Sequence, residues 1–297
     1  MRRNFAPLNS AGIDGTGQKI AIAGQSQIQL SDVQHFRSEF GLAAKDPVVT
    51  LIPGSRDPGV SAGDINEAHL DIEWSGAAAA NATIEYVYAY DVLNAVQYAI
   101  DQNIAPVIST SYGMCEGEVS AGEANTMRGW AKQANAQGIT WFSASGDNGG
   151  ADCAYIGSAA LSVDMPGSIP EVTSVGGTEF SEGAGTYWAT SNNNVSASAT
   201  GYIPETSWND SAQIGAPSAT GGGASQFFAK PSWQDVPGVP GDTMRHVPDI
   251  ALNASAEHDS YLVYSQGADV VFGGTSVPAP YLCRPGCAAE SKCHQER

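Results

Sequence analysis

The chain has 297 residues, 42% of them apolar, with 34 glycines and only 15% charged side chains; it is long enough to bury a substantial core as one large α/β unit, and disorder is excluded. Its 31 Asp and Glu against 13 Lys and Arg give a formal charge of −18, which rules out nucleic acid and anionic membrane surfaces as partners, because both demand clustered cations. No apolar run approaches the roughly 18 residues that span a bilayer, and the N-terminal stretch lacks the apolar core of a signal peptide.

The elements alternate along the chain. "KIAIAGQ" (19–25) predicts a buried strand, "SDVQHFRSEFGL" (31–42) a helix with Ser31 or Asp32 near its cap, and "PVVTLIPG" (47–54) a second strand. A helix is expected over "INEAHLDIEWSGAAAANA" (65–82), a strand over "TIEYVYAY" (83–90), a helix over "VLNAVQYAIDQN" (92–103) and a strand over "APVISTSYG" (105–113). Then come a helix in "AGEANTMRGWAKQANAQG" (121–138), a strand running into a Gly-rich loop in "ITWFSASGDNGG" (139–150), and a strand in "EVTSVGGTEF" (171–180). Repeated β-α-β order with apolar strands predicts a parallel sheet covered on both faces by helices. After residue 181 the sequence turns rich in Ser, Thr, Gly and Asn, which predicts loops or short antiparallel excursions over the same unit, with Trp188, Tyr202 and Trp208 seeking burial partners.

Between Arg56 and Arg128 there is no Lys or Arg, while acids recur from Asp57 to Glu123. Such a stretch repels itself at neutral pH and relaxes as carboxylates protonate, which points to a protein that works in acid. Of five cysteines, Cys115 and Cys153 follow the ends of two predicted strands and can pair in an oxidising compartment. Cys283, Cys287 and Cys293 crowd the tail with His294, in a spacing that fits no strong zinc pattern.

In open parallel sheets chemistry gathers at the carboxyl ends of strands. Three segments there carry reactive groups. In "DINEAHLDIEW", Glu67 and Asp71 are four residues apart, on one helical face, where two carboxyls in a shielded site share a proton and one is held neutral. The plainer reading is a capping box formed by Asp64 and Glu67, with Asp71 in water. In "SGDNGG", a neutral Asp147 could donate to a developing oxyanion, or the segment is an Asx turn. In "FGGTSVPAP" (272–280), Ser276 is either a nucleophile at a helix start or part of an ordinary tight turn. A nucleophilic serine usually takes a histidine base, but no histidine of the chain stands in the His-Gly-Thr context of subtilisin-type sites; His69, between Glu67 and Asp71 but on another face, is the one competitor.

Together, "EAHLD", "SGDNGG" and "GGTSVPAP", in this order and at these separations, resemble the sedolisin family of serine-carboxyl peptidases, as do "AGIDGTGQKIAIAGQS", "ISTSYG", "VTSVGGTEF", "TGGGAS" and "RHVPDIALNAS". The resemblance implies a subtilisin-like three-layer α/β/α fold with a mostly parallel central sheet. It also implies an acid-active endopeptidase or tripeptidyl-peptidase in which Ser276 is the nucleophile, Glu67 its base, Asp71 the partner of Glu67, and Asp147 the oxyanion donor. Protein or peptide substrates, an N-terminal prodomain, an extracellular location, a monomeric state and a bound calcium ion are likewise implied. Two departures stand out. Where some members carry a further Glu after the first strand and a Trp before the glycine of "SWG", this chain has Gln25 and Tyr112, so the carboxylate network is expected to end at Asp71. After Pro280, "YLCRPGCAAESKCHQER" lacks the apolar helix and the Asp- and Gly-rich calcium segment of the family. The expectation is therefore a peptidase domain over 1–280, incomplete at its C-terminal part and without its calcium ligands, followed by an atypical tail at 281–297 that arises from a frameshift, mis-assembly or truncation. The competing readings are an inactive fragment of such a peptidase and a glycoside hydrolase that uses Glu67 and Asp71 as its carboxyl pair.

Overall fold

The computed structural model of the chain describes residues 14–193 and 198–283. Its centre is a sheet whose strands run in the order β12, β8, β6, β4, β1, β3, β2. In chain order these are β1 (Lys19–Gly24), β2 (Val48–Leu51), β3 (Thr83–Tyr88), β4 (Val107–Thr110), β6 (Thr140–Ala144), β8 (Thr173–Phe180) and β12 (Ile250–Asn253), every neighbouring pair being parallel. A short antiparallel strand, β9 (Glu205–Ser207), extends β8. Three antiparallel pairs lie outside this sheet: β5 (Met114–Cys115) with β7 (Asp164–Met165), β10 (Gly223–Ala229) with β11 (Met244–Val247), and β13 (Tyr261–Ser265) with β14 (Ala268–Phe272).

The alternation of side chains along β1 explains the layers. Ala21 and Ala23 face a core shared with α3 (Val92–Asp101) and α4 (Ala121–Ala136). Ile20 and Ile22 face the opposite core with Ala68 and Ile72 of α2 (Ile65–Ala78) and Leu282 of the helical residues 278–283. Helices therefore cover both faces, the three-layer arrangement expected of the sequence. α1 (Leu30–Glu39) packs against α2 through Phe36 and Trp74. Its N-cap is Gln29, with no side-chain capping bond, so neither Ser31 nor Asp32 is the cap; Asp32 sits inside the first turn. β2 lies at the sheet edge with Val48 and Val49 exposed rather than buried. Trp208 is buried as expected, but Trp188 and Tyr202 are exposed, because the segments carrying them pass over the surface and not into the core. Of the tail, residues 281–283 lie in the described helix, with Tyr281, Leu282 and Cys283 buried; Cys287, Cys293 and His294 lie outside the described residues. No helix of the described residues is long and apolar enough to cross a membrane.

α2 is nearly all buried, although its sequence contains four titratable side chains. One side of it fastens the β13–β14 hairpin: Trp74 Nε1 donates to Leu262 O at 3.0 Å and Tyr264 N donates to Glu73 Oε2 at 3.0 Å. His69 accepts from Gln29 N through Nε2 at 3.1 Å, so its proton sits on Nδ1 and points to Ser265 Oγ at 2.8 Å, and Ser265 in turn donates to Asn66 Oδ1 at 2.7 Å. Burial pushes the imidazole down from its ordinary range. Glu73 is only 1% exposed, and burial, with smaller contributions from the nearby Asp32, Glu39 and Asp269, pushes it up to about 9.

A raised carboxyl pKa sets the sign of a stability effect. The unfolded chain loses the Glu73 proton near the ordinary value of 4.5, whereas the folded chain keeps it to about 9. The stabilisation is therefore complete below that lower value and is lost as pH rises through this window, by up to about 1.4 kcal/mol per pH unit for each such group. Thermal unfolding is expected to show a lower Tm at about pH 7 than at about pH 4, and Glu73→Gln, which cannot ionise, is expected to flatten that slope. An unchanged slope in the variant would remove Glu73 from the account.

Candidate active site

The segments singled out in the sequence meet above the carboxyl ends of the central strands. The other side of α2 turns Glu67 and Asp71 toward the residues that follow β4 and toward the turn that follows β14. Asp64 caps the helix only by position: its carboxylate accepts from Gln25 Nε2 at 2.8 Å and from Ser61 Oγ at 2.5 Å, with no capping bond to the helix backbone. The capping-box alternative for Asp64 and Glu67 is thereby set aside, and Asp71, 1% exposed, does not sit in water.

The nucleophile candidate stands at the end of a turn that only glycine permits. A Cβ on Gly273 would meet Ala254 O and Ala256 N at 2.4 Å. Gly274 has φ +95, and a Cβ there would lie 2.6 Å from Asp147 Oδ2. Pro278 then opens the helical residues, its fixed φ and missing N–H suiting a first turn. Ser276 Oγ donates to Ser111 O at 3.3 Å, and Ser111 Oγ lies 2.7 Å from Asp71 Oδ1 and 3.2 Å from Ser276 O.

Burial raises Glu67, hydrogen bonds from the Ser276 and Ser111 hydroxyls draw it partly back, and the charges of Asp147 and Asp64 push it up again. Asp71 is raised well above the ordinary carboxylate range by burial and then by Glu67. Two like charges four residues apart on one shielded helical face cannot both persist, so the pair holds a proton over the acidic range. Glu67 Oε1 and Asp71 Oδ2 are both buried and accept no hydrogen bond.

Asp147 closes the constellation from the loop after β6. Its Oδ1 accepts from Thr275 N at 2.8 Å and from Thr275 Oγ1 at 2.9 Å, in place of the local Asx turn that was the alternative. With Oδ1 committed as acceptor, the proton of the neutral acid belongs on Oδ2, the oxygen lying against Gly274. Burial raises Asp147, opposed by the two bonds from Thr275. The loop rests on two further carboxyls: Asp152, pushed up to about 6 by burial and by Asp147, shares a hydrogen bond with Asp164, which burial raises well above its ordinary value. Cys115 and Cys153 form the expected disulfide, with Cα atoms 5.2 Å apart, tying β5 to the turn that carries Asp152.

His69 drops out as a base because both ring nitrogens are engaged on the hairpin side of α2. The other described histidines are engaged elsewhere: His35 stacks on Tyr264, His246 pairs with Asp242, and His258 lies between Glu182 and Asp259. Sequence reading assigned no role to Ser111, Thr275, Asp152 or Asp164. Ser111 and Thr275 were within quoted motifs, each next to a residue already under suspicion; Asp152 and Asp164 carry no spacing signal, since a disulfide turn and a two-residue strand bring them together.

Residues 76–280 match the model of the Subtilase family, a span that starts just past Glu67 and Asp71. Kumamolisin of Bacillus sp. (strain MN-32) is 34% identical over 93% of this chain and 50% of its own length. Sedolisin of Pseudomonas sp. (strain 101) is 34% identical over 88% of this chain and 44% of its own. The chain thus spans about half the length of the curated relatives it matches. Among solved structures, Pseudomonas sedolisin, a serine-carboxyl proteinase complexed with two molecules of pseudo-iodotyrostatin, aligns with a TM-score of 0.76 and 28% identity over 94% of this chain and 76% of that one. A lanthipeptide protease shares the fold at a TM-score of 0.59, with 14% identity over 100% of this chain and 80% of that one. On the family match, these relatives and the shared fold, the chain belongs to the subtilase family, in its sedolisin group.

Proposed function

We propose that this chain hydrolyses peptide bonds in acid through an acyl-enzyme on Ser276. The observation that carries the reading is the convergence of one hydroxyl and three neutral-leaning carboxyls, Asp71 buried and Glu67 and Asp147 half-buried, from α2, the loop after β6 and the turn after β14, with every described imidazole engaged elsewhere. Ser276 Oγ attacks the scissile carbonyl carbon while its proton passes to Glu67, and Asp71 shares the proton of the pair. The tetrahedral oxyanion takes a hydrogen bond from neutral Asp147. Collapse breaks the C–N bond, with Glu67 returning the proton to the leaving amine, and water then repeats the sequence on the ester. A glycoside hydrolase built on Glu67 and Asp71 would leave Ser276 and Asp147 without a task, although both are hydrogen-bonded in the same site.

The wider assignments follow from the same reading. Protein or peptide substrates, a monomeric state and control by an N-terminal prodomain accompany it, with residues 1–280 as the catalytic domain and 281–297 as the tail, whose first three residues continue the helix and pack into the core of that domain. An extracellular location is supported by the Cys115–Cys153 disulfide, since such bonds persist in oxidising compartments. Among the described residues no group of three or more His, Cys, Asp or Glu could hold a metal ion. No residue is assigned to the calcium implied by the resemblance, and no step runs through it.

Two measurements test this proposal. Hydrolysis of a denatured protein at about pH 3 to 5 is expected in the parent, with kcat/KM lower by roughly 10³-fold or more in Ser276→Ala and in Glu67→Gln; cleavage of aryl glycosides that survives Ser276→Ala would point to the other chemistry. Activity must also fall as pH rises through the ionisation of Asp147, because a carboxylate cannot donate. Asp147→Asn keeps a donor that never ionises, so this limb should move or vanish, at a cost in rate of about 10²–10³. A limb that stays in place would release Asp147 from the oxyanion role.

A further inference from the structure

Glu67 and Asp71 each leave one buried oxygen without a donor, and the hydroxyl that reaches Asp71 and the backbone of the nucleophile together belongs to Ser111. Resting on the peptidase reading above, we propose that Ser111 is the bridge that fixes Asp71, and with it the Glu67–Asp71 pair, to the nucleophile, which makes it a positioning residue for the catalytic base. It is well mounted for this. It follows β4 directly, where Ser109 and Thr110 are fully buried and Thr110 Oγ1 accepts from Trp141 Nε1 at 3.0 Å, so the strand end is fixed on the far side. From there its side chain contacts Asp71 at 2.7 Å and the backbone of the nucleophile at 3.2 Å, while Ser276 bonds back to the Ser111 carbonyl at 3.3 Å. The two serines thus hold each other in register, and the same hydroxyl that fixes Asp71 also fixes the residue to be deprotonated.

A hydroxyl carries one proton and two lone pairs, so it serves either protonation state of the pair. With Asp71 ionised, Ser111 donates to Oδ1. With Asp71 protonated, Oδ1–H donates to Ser111 Oγ and the Ser111 proton turns to Ser276 O, 3.2 Å away. The other titratable groups facing the pair are Asp64 on α2, Tyr86 on β3, Tyr112 after β4 and Asp147 after β6. None of these can be cationic, so the pair is stabilised by protons and hydroxyl donors. The network therefore does not end at Asp71, as the loss of the family's extra Glu and Trp suggested, but turns back through Ser111 to the nucleophile.

The test uses the full chain with Ser111→Ala and Ser111→Thr. Carboxyl ¹³C NMR of the parent, assigned with Glu67→Gln and Asp71→Asn, follows the titration of the pair. Loss of a donor to the ionised form should move its lower step to higher pH in Ser111→Ala, while Ser111→Thr, which keeps the hydroxyl, should titrate as the parent does. In kinetics the acid limb of kcat/KM should shift with it and kcat should fall by about 10- to 100-fold, with KM little changed. A pair that titrates identically in the parent and Ser111→Ala overturns the bridge even if the chain is an active peptidase. A shifted titration upholds it even if hydrolysis is not observed, and Ser111→Thr supplies the folded comparison should the alanine variant be unstable.

Discussion

The burial of carboxyls on α2 is the constraint on which the site depends. A helix wedged between the sheet, α1 and the β13–β14 hairpin has little solvent to offer, and yet it carries Glu67, Asp71 and Glu73 along with His69. The cost of charging an acid there exceeds the gain from water, so each acid stays neutral to higher pH than it would on a surface. In an imidazole-based site a buried carboxylate orients a histidine; in the proposed reading the carboxyls themselves serve as the base and the oxyanion donor, and acid is the condition under which their mixed protonation is available. The unbalanced acidic stretch from Asp57 to Glu123 includes this helix, so the composition that points to low pH and the carboxyls of that reading on α2 occupy the same part of the chain.

Much of this was legible in the sequence, and the physical reasons differ from element to element. β1, β3, β4, β6 and β8 and the helices between them announce themselves by apolar runs and 3.6-residue periodicity, and the layer assignment follows from their order. The i, i+4 spacing of Glu67 and Asp71 put both on one face, but it could not say whether that face met water or protein. The answer lies in tertiary packing, which also overrode the capping-box signal: Asp64 is claimed by Gln25 and Ser61 instead of the helix backbone. Likewise Asp-Asn-Gly is good local turn sequence, and only the arrival of Thr275 from far along the chain converts Asp147 to another use.

The failures were of a different kind. Aromatic residues in a polar stretch were expected to need burial, yet Trp188 and Tyr202 remain exposed, because such side chains on long surface segments need no partner in the core. Ser31 and Asp32 are good capping types and do stand near the helix start as expected, but the cap itself falls two residues before Ser31, on Gln29. Ser111 was hidden by ordinariness: a serine at the end of a β-strand carries no signal until the strand's neighbours are known. What the sequence could not supply was the pairing of distant loops, and the hydroxyl network is made of nothing else.

The hairpin that leads into Ser276 gives α2 a second meaning. One flank of the helix grips β13 through Trp74, His69 and Glu73, and the opposite flank supplies Glu67 and Asp71. In the proposed reading, acceptor and attacking group are thus fastened to a common rod: the helix that carries the one also grips the hairpin that feeds the turn of the other, and that turn is locked a second time by Asp147 and by the carbonyls of Ala254 and Ser111.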